Sequence, residues 1–198
     1  IPGPTLIVNQ GETVAVTLHN TLPQASSLSF PGQSLPPDTT GAAASSGIQT
    51  YTFVASTPGT YIYEAGLTNN GARQVAMGLF GALIVRPSAN TLTTAYGTSD
   101  SSYTDEALLV LSEIDTSLNS APASFNMAAF NPNFWLINGK AYPSTDAIPV
   151  AAGDKVLLRY VNASVQPHSM GALGLRQTVL ATDGSVLPFA RTVIAETI

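Results

Sequence analysis

His168 and Met170 fall close together in VQPHSMG (Val165 to Gly171), and an imidazole beside a thioether is a donor pair that copper accepts. The chain has no cysteine, so the thiolate that completes a blue copper centre is lacking, and the pair reads as a loop histidine next to a core methionine. His19, the other of the two histidines, stands beside Asn20 at the end of a strand-like run; a single imidazole makes no cluster. Asp105, Glu106, Glu113 and Asp115 could gather a divalent cation, but they are spread over a strand and its ends and read as solvated strand termini. Serines are plentiful, yet no Gly-x-Ser-x-Gly elbow occurs, and neither histidine has the setting of a Ser-His-acid triad. No dinucleotide-binding or P-loop pattern occurs either. Asn162-Ala163-Ser164 has the form of a glycosylation sequon and reads as a chance triplet at a strand end.

The elements that must carry these residues are strands. Charged residues make up 10% of the chain against 44% hydrophobic, with 16 Gly and 14 Pro, a balance that suits many short strands joined by tight turns. A net charge of -5 with only seven Lys plus Arg leaves no basic patch to neutralise phosphates, so nucleic acid is not an expected partner. No apolar run reaches the ~18 residues of a membrane span. Ile1 is preceded by neither Met nor a signal segment, which is expected of a processed or trimmed chain.

Apolar and polar residues alternate from Glu12 to Leu18 and again from Ile48 to Ala55, the period of strands with one buried face. In GTYIYEAGLTNNGARQVAMGLFGALIVRP (Gly59 to Pro87) two strands are expected around a short polar loop, the second unusually apolar and punctuated by Gly78 and Gly81. The Ser/Thr-rich stretch 88–106 reads as a linker or surface excursion. A new core starts at ALLVLSEID, and Trp135, the one tryptophan, is expected to be buried beside Phe134. GDKVLLRYVN (Gly153 to Asn162) echoes GETVAVTLHN (Gly11 to Asn20), an internal repeat that places the same kind of strand in both halves.

With these motifs in order, the chain resembles the N-terminal part of a multicopper oxidase. The resemblance rests on GPTLIVNQGETVAVTLHNTLP (Gly3 to Pro23), GTYIYEAG (Gly59 to Gly66), QVAMGLFGALIVRP (Gln74 to Pro87) and WLINGKAYP (Trp135 to Pro143). It implies an all-β chain of tandem cupredoxin-like Greek-key β-sandwiches: a first domain over 1–87, a linker over 88–106, and a second, incomplete sandwich over 107–198. It also implies that the family's His-Trp-His-Gly falls on Ser29-Phe30-Pro31-Gly32 and its second His-x-His on Glu64-Ala65-Gly66, so that Ser29, Pro31, Glu64 and Gly66 stand where four copper ligands would be. Glu64 is expected to be exposed at the rim or paired with Arg73.

Copper would therefore belong to the full-length family member and not to this segment. Two functions follow as expectations. In the first, the segment is the scaffold portion of a secreted, periplasmic or cell-surface oxidase that takes single electrons from its substrate and reduces O2 to water at copper centres elsewhere; its partners are the copper-bearing domains or neighbouring subunits, and a homo-oligomer is possible. In the second, it is a copper-free structural or filament subunit whose strand edges pair with neighbours.

Overall fold

The computed structural model describes residues 1–88 and 93–198. Its first half contains β1 (Leu6–Asn9), β2 (Thr13–Asn20), β3 (Leu28–Ser29), β4 (Gly47–Val54), β5 (Gly59–Ala65), a short helix α1 (Gly71–Ala76) and β6 (Phe80–Arg86). Alternation selects the buried face of β2 and β4. The two strands pair antiparallel with Val14 opposite Phe53 and Val16 opposite Tyr51, so these side chains point inward while Thr17 and Thr50 meet on the outer face, their hydroxyls 3.0 Å apart. The facing sheet runs β1-β6-β5-β3, with β1 parallel to β6. Between the sheets lie Leu28, Phe30, Tyr51, Phe53, Tyr61, Tyr63, Leu83 and Val85, and the Phe30 ring meets Tyr51, Phe53 and Tyr63 at tilted angles.

The second half contains β7 (Asp105–Ile114), a short helix α2 (Thr116–Ser120), β8 (Phe134–Ile137), β9 (Lys140–Ala141), β10 (Val156–Asn162), β11 (Ser169–Gly171), β12 (Gln177–Thr182), β13 (Ser185–Val193) and β14 (Ala195–Thr197). One sheet runs β10-β7-β8-β9; β12 and β13 form a hairpin, and β11 pairs with β14. The repeat strands take different mates, since β2 lies antiparallel to β4 and β10 parallel to β7.

The apolar character of β6 has two causes. Leu83 and Val85 face the first core, whereas Phe80 and Ala82 turn outward and pack with Val110 and Val161 of the second half, so both faces of the strand are dry. Alternation cannot survive where both faces are covered. An ion cluster borders this seam: Glu106 on β7 pairs with Arg86 on β6 and Arg159 on β10, and Arg159 also donates to Thr60 Oγ1 on β5 at 2.8 Å.

Several expectations need correction. The polar loop after β5 contains α1, held because the buried Gln74 accepts from Ser26 Oγ and donates to the carbonyl of Ala25, which draws a turn of helix onto the sheet end. Phe134 and Trp135 are about half exposed; β8 is flanked by β7 and β9, but no second sheet covers these two side chains among the described residues. Of the four acidic residues on and just after β7, three are not solvated termini, whereas Asp105 is partly exposed at the first position of the strand. Glu113 and Asp115 are buried and accept backbone amides, Val165 N for the first, and Ser117, Leu118 and Asn131 N for the second, while Glu106 is held by two arginines. Within 88–106, Ala95, Ser101 and Tyr103 are buried and β7 begins at Asp105; residues 89–92 of that stretch lie outside the described residues. No helix among the described residues is long and apolar enough to cross a membrane.

Candidate functional site

The four positions singled out from the sequence come together at one end of the first sandwich. β3 lies antiparallel to the end of β5, with Leu28 opposite Ala65 and Ser29 opposite Glu64. Ser29 and Glu64 are therefore direct cross-strand neighbours. Pro31 follows the buried Phe30 at the exposed edge, and Gly66 follows Ala65 beneath β3, its amide donating to Ser27 O at 2.9 Å.

The Gly66 backbone is packed from two sides. A Cβ built on it would meet Ser27 Oγ at 2.4 Å, and the Gly66 carbonyl is itself so close to Gly71 that a Cβ there would fall 2.0 Å from it. The chain passes between β3 and the start of α1 with room for hydrogen alone. This is the fit test for copper at this end of the fold. Pro31 and Gly66 bring no donor atom, the space at Gly66 excludes a larger side chain, and Ser29 with Glu64 offers two oxygens where copper favours imidazole nitrogen. The residues present do not fit the metal.

Glu64 follows neither expected course. Its carboxylate is half-buried and has no hydrogen-bond or ionic partner among the described residues, and Arg73 donates instead to Asn70 Oδ1 and to the carbonyl of Phe125. Burial without compensation pushes the Glu64 carboxyl above the usual carboxylate range. The side chain borders a cavity of about 340 Å³ between the two sandwiches, walled by Ala65, Gly66, Leu67, Ala72 and Val75 on one side and by Asn162 to Val165 on the other.

The other candidates stay apart from this end. His19 is exposed on β2. His168 bonds Ser164 Oγ through Nε2 at 3.0 Å, its backbone pairs with Ile198, and Met170 lies on β11. Asn162 donates both amide hydrogens, to the carbonyls of Gln166 and Ile198. Among the described residues no three His, Cys, Asp or Glu side chains converge. Sequence reasoning missed the ion cluster on Glu106, because its members come from three strands whose register no local pattern reveals.

Residues 1–90 match the family model described as multicopper oxidase. No curated protein matches the chain. Among solved structures, the blue copper oxidase from Nitrosomonas europaea is 25% identical with a TM-score of 0.86, and the match covers 100% of this chain and 63% of that one. The multicopper oxidase mgLAC is 21% identical with a TM-score of 0.84 over 99% of this chain and 62% of its own. The copper nitrite reductase from Nitrosomonas europaea shares the fold at 21% identity and a TM-score of 0.72, over 100% of this chain and 70% of that chain. The chain thus spans under two thirds of the first two structures, and its architecture is the mostly-β, two-domain cupredoxin portion they contain.

Proposed function

We propose that this chain, a cupredoxin-like region of the multicopper oxidase type that matches the N-terminal part of bacterial members, acts as the scaffold portion of such an oxidase. In this reading the copper centres, the single-electron oxidation of substrate and the reduction of O2 to water belong to polypeptide outside these residues. The observation that carries it is the packing at Gly66, where a Cβ would stand 2.4 Å from Ser27 Oγ. A backbone closed in this way leaves no room for a ligating side chain at 66, which supports a packing role for this end of the sandwich. The apolar seam shared by Phe80, Ala82, Val110 and Val161 packs the two sandwiches against each other, which supports a scaffold role.

Titration of the chain with Cu(II) and Cu(I), followed by calorimetry and visible absorption, tests the ligand argument: neither a stoichiometric tight site nor a blue band is expected, and either one overturns it. The intact mass of the mature protein from its natural source tests the scaffold role. A mass well above 20.5 kDa, with oxidase activity, is the expected result. A mass near that value would favour the second reading, a copper-free structural subunit of the cell surface or a filament, for which the exposed strand β13 with Val186 and Phe189 offers a pairing edge.

A further inference from the structure

β5 buries one face in the first core and turns Thr60, Ile62 and Glu64 toward the second half. Two of the three are answered there. Thr60 Oγ1 accepts Arg159 Nη1 at 2.8 Å, and Ile62 packs into the apolar seam beside Val161. Alternation carries β10 from Arg159 through Val161 to residue 163, where the chain is still bonded to β7 by Ala163 N and Leu111 O. The place beside Glu64 therefore belongs to Ala163, which brings a methyl group and no charge. Both residues line the cavity of about 340 Å³, and no described residue bonds to the Glu64 carboxylate.

The polar groups around it are already engaged. Arg73 on α1 is turned to Asn70 Oδ1 and the Phe125 carbonyl, and His168 is bound through Nε2 to Ser164 Oγ. The Asn162 side chain gives its amide hydrogens to the carbonyls of Gln166 and Ile198, and its oxygen accepts Ser164 N. Apolar side chains dominate the remaining walls, and one from each half stands open to solvent: Leu67 is 65% exposed and Val165 is 78% exposed.

This combination selects among ligands. A single carboxylate holds a hard metal ion poorly, because such ions need several oxygens at once. An anion is repelled, and a neutral apolar molecule would bury the carboxylate further without a partner. A cation that donates hydrogen bonds and carries its own apolar surface meets both the charge and the walls. We propose that the cavity binds a primary alkylamine as its ammonium ion, the head group on Glu64 and the alkyl chain between Leu67, Val75 and Val165. The volume lies at the lower end of ligand pockets and suits a chain of roughly six carbons. Binding of this kind is independent of copper and of any oxidase activity.

The probe is n-hexylamine, added near neutral pH to the 198-residue chain, with hexan-1-ol and hexanoate as its neutral and anionic counterparts. Binding is followed by amide chemical shifts and by the shift of the Glu64 carboxyl carbon. Saturable changes at Leu67, Ala72, Val75 and Val165 are expected, with the Glu64 titration moved downward, since an ammonium ion favours the ionised carboxyl. Hexan-1-ol and hexanoate should bind at least about tenfold more weakly, the worth of a charge-assisted hydrogen bond. Glu64→Gln should lose a similar factor for hexylamine and leave hexan-1-ol unchanged, a contrast that a general loosening of the seam would not produce. Equal binding of amine and alcohol, or full affinity in Glu64→Gln, would overturn the proposal. So would amine-induced shifts spread evenly over the other carboxylates of this chain of net charge -5, since the cation would then be held by the overall field and not by the cavity.

Discussion

The ring of Tyr61 and the backbone of Gly184 touch across the two sandwiches. Gly184 closes the β12–β13 hairpin at φ of +74°, a Cβ on it would fall 2.1 Å from Tyr61 Cε1, and Tyr61 Oη lies 3.4 Å from its carbonyl while donating to Thr57 O at 3.0 Å. The tip of the second half is thus seated on a core aromatic of the first. Gly184→Ala meets both a left-handed backbone and a buried ring, and it should cost about 2 kcal/mol in urea unfolding. Asp183→Asn, at φ of +48° in the same two-residue turn, should change stability by less than about 0.5 kcal/mol, because Asn-Gly suits that turn as well as Asp-Gly. Equal effects of the two substitutions would mean that the hairpin tip is not held.

Among the described residues Glu106 is the single carboxylate paired with both Arg86 and Arg159, and the Arg159 side chain is 2% exposed. Glu106→Gln leaves a buried guanidinium without its counter-charge and should destabilise by about 3 kcal/mol, far more than a surface pair would. Adding Arg159→Met removes the stranded charge and should recover most of that loss. A double-mutant cycle in denaturant measures it; additive losses would show that the pair is not coupled.

Much of the first sandwich is legible in the sequence for one reason: strands with a single buried face announce themselves by alternation, as Val14, Val16, Tyr51 and Phe53 do. Gly11 and Asp183-Gly184 likewise mark their turns by residue type. What stays hidden depends on long-range contact. Helix α1 is too short to show a period and exists because Gln74 clasps the chain at Ala25 and Ser26. Trp135 has the composition of a core residue, yet its side of β8 is uncovered among the described residues. The resemblance locates Ser29, Pro31, Glu64 and Gly66, but the closeness of Gly66 to Ser27 that bars a side chain is a fact of three dimensions.

That closeness makes restoring the missing histidines a sharp experiment. Gly66→His should destabilise the fold by about 3 kcal/mol, since its Cβ would collide with Ser27 Oγ and approach the Leu28 carbonyl. Adding Ser27→Ala should return part of the loss. The chain carrying histidine at 29, 31, 64 and 66 together should show weaker copper binding by calorimetry than one carrying it at 29 and 64 alone, because that pair lies directly cross-strand whereas position 66 must first deform β3. Tighter binding by the fourfold variant would show that the backbone yields more easily than its packing implies.

The unpartnered carboxyl of Glu64 gives a pH signature. Burial raises its pKa in the folded chain above the value of 4.5 it has when unfolded, so the folded state holds the extra proton between the two values. Stability from this group is full below pH 4.5 and is lost as pH rises through the folded pKa, above which the half-buried carboxylate is charged. Glu64→Gln removes that penalty, so its melting temperature should exceed that of the parent at pH 7, with the gap closing toward pH 4. Other carboxylates do not blur the comparison. Burial alone would raise Asp38, but the amides of Gly41 and Thr40 and the Tyr51 hydroxyl together hold it below its ordinary value, and it contributes the opposite slope equally to both proteins. Melting curves across that range decide the matter: a gap that stays constant with pH would mean the substitution acts through packing or hydrogen bonding, and that Glu64 is not held short of its charge.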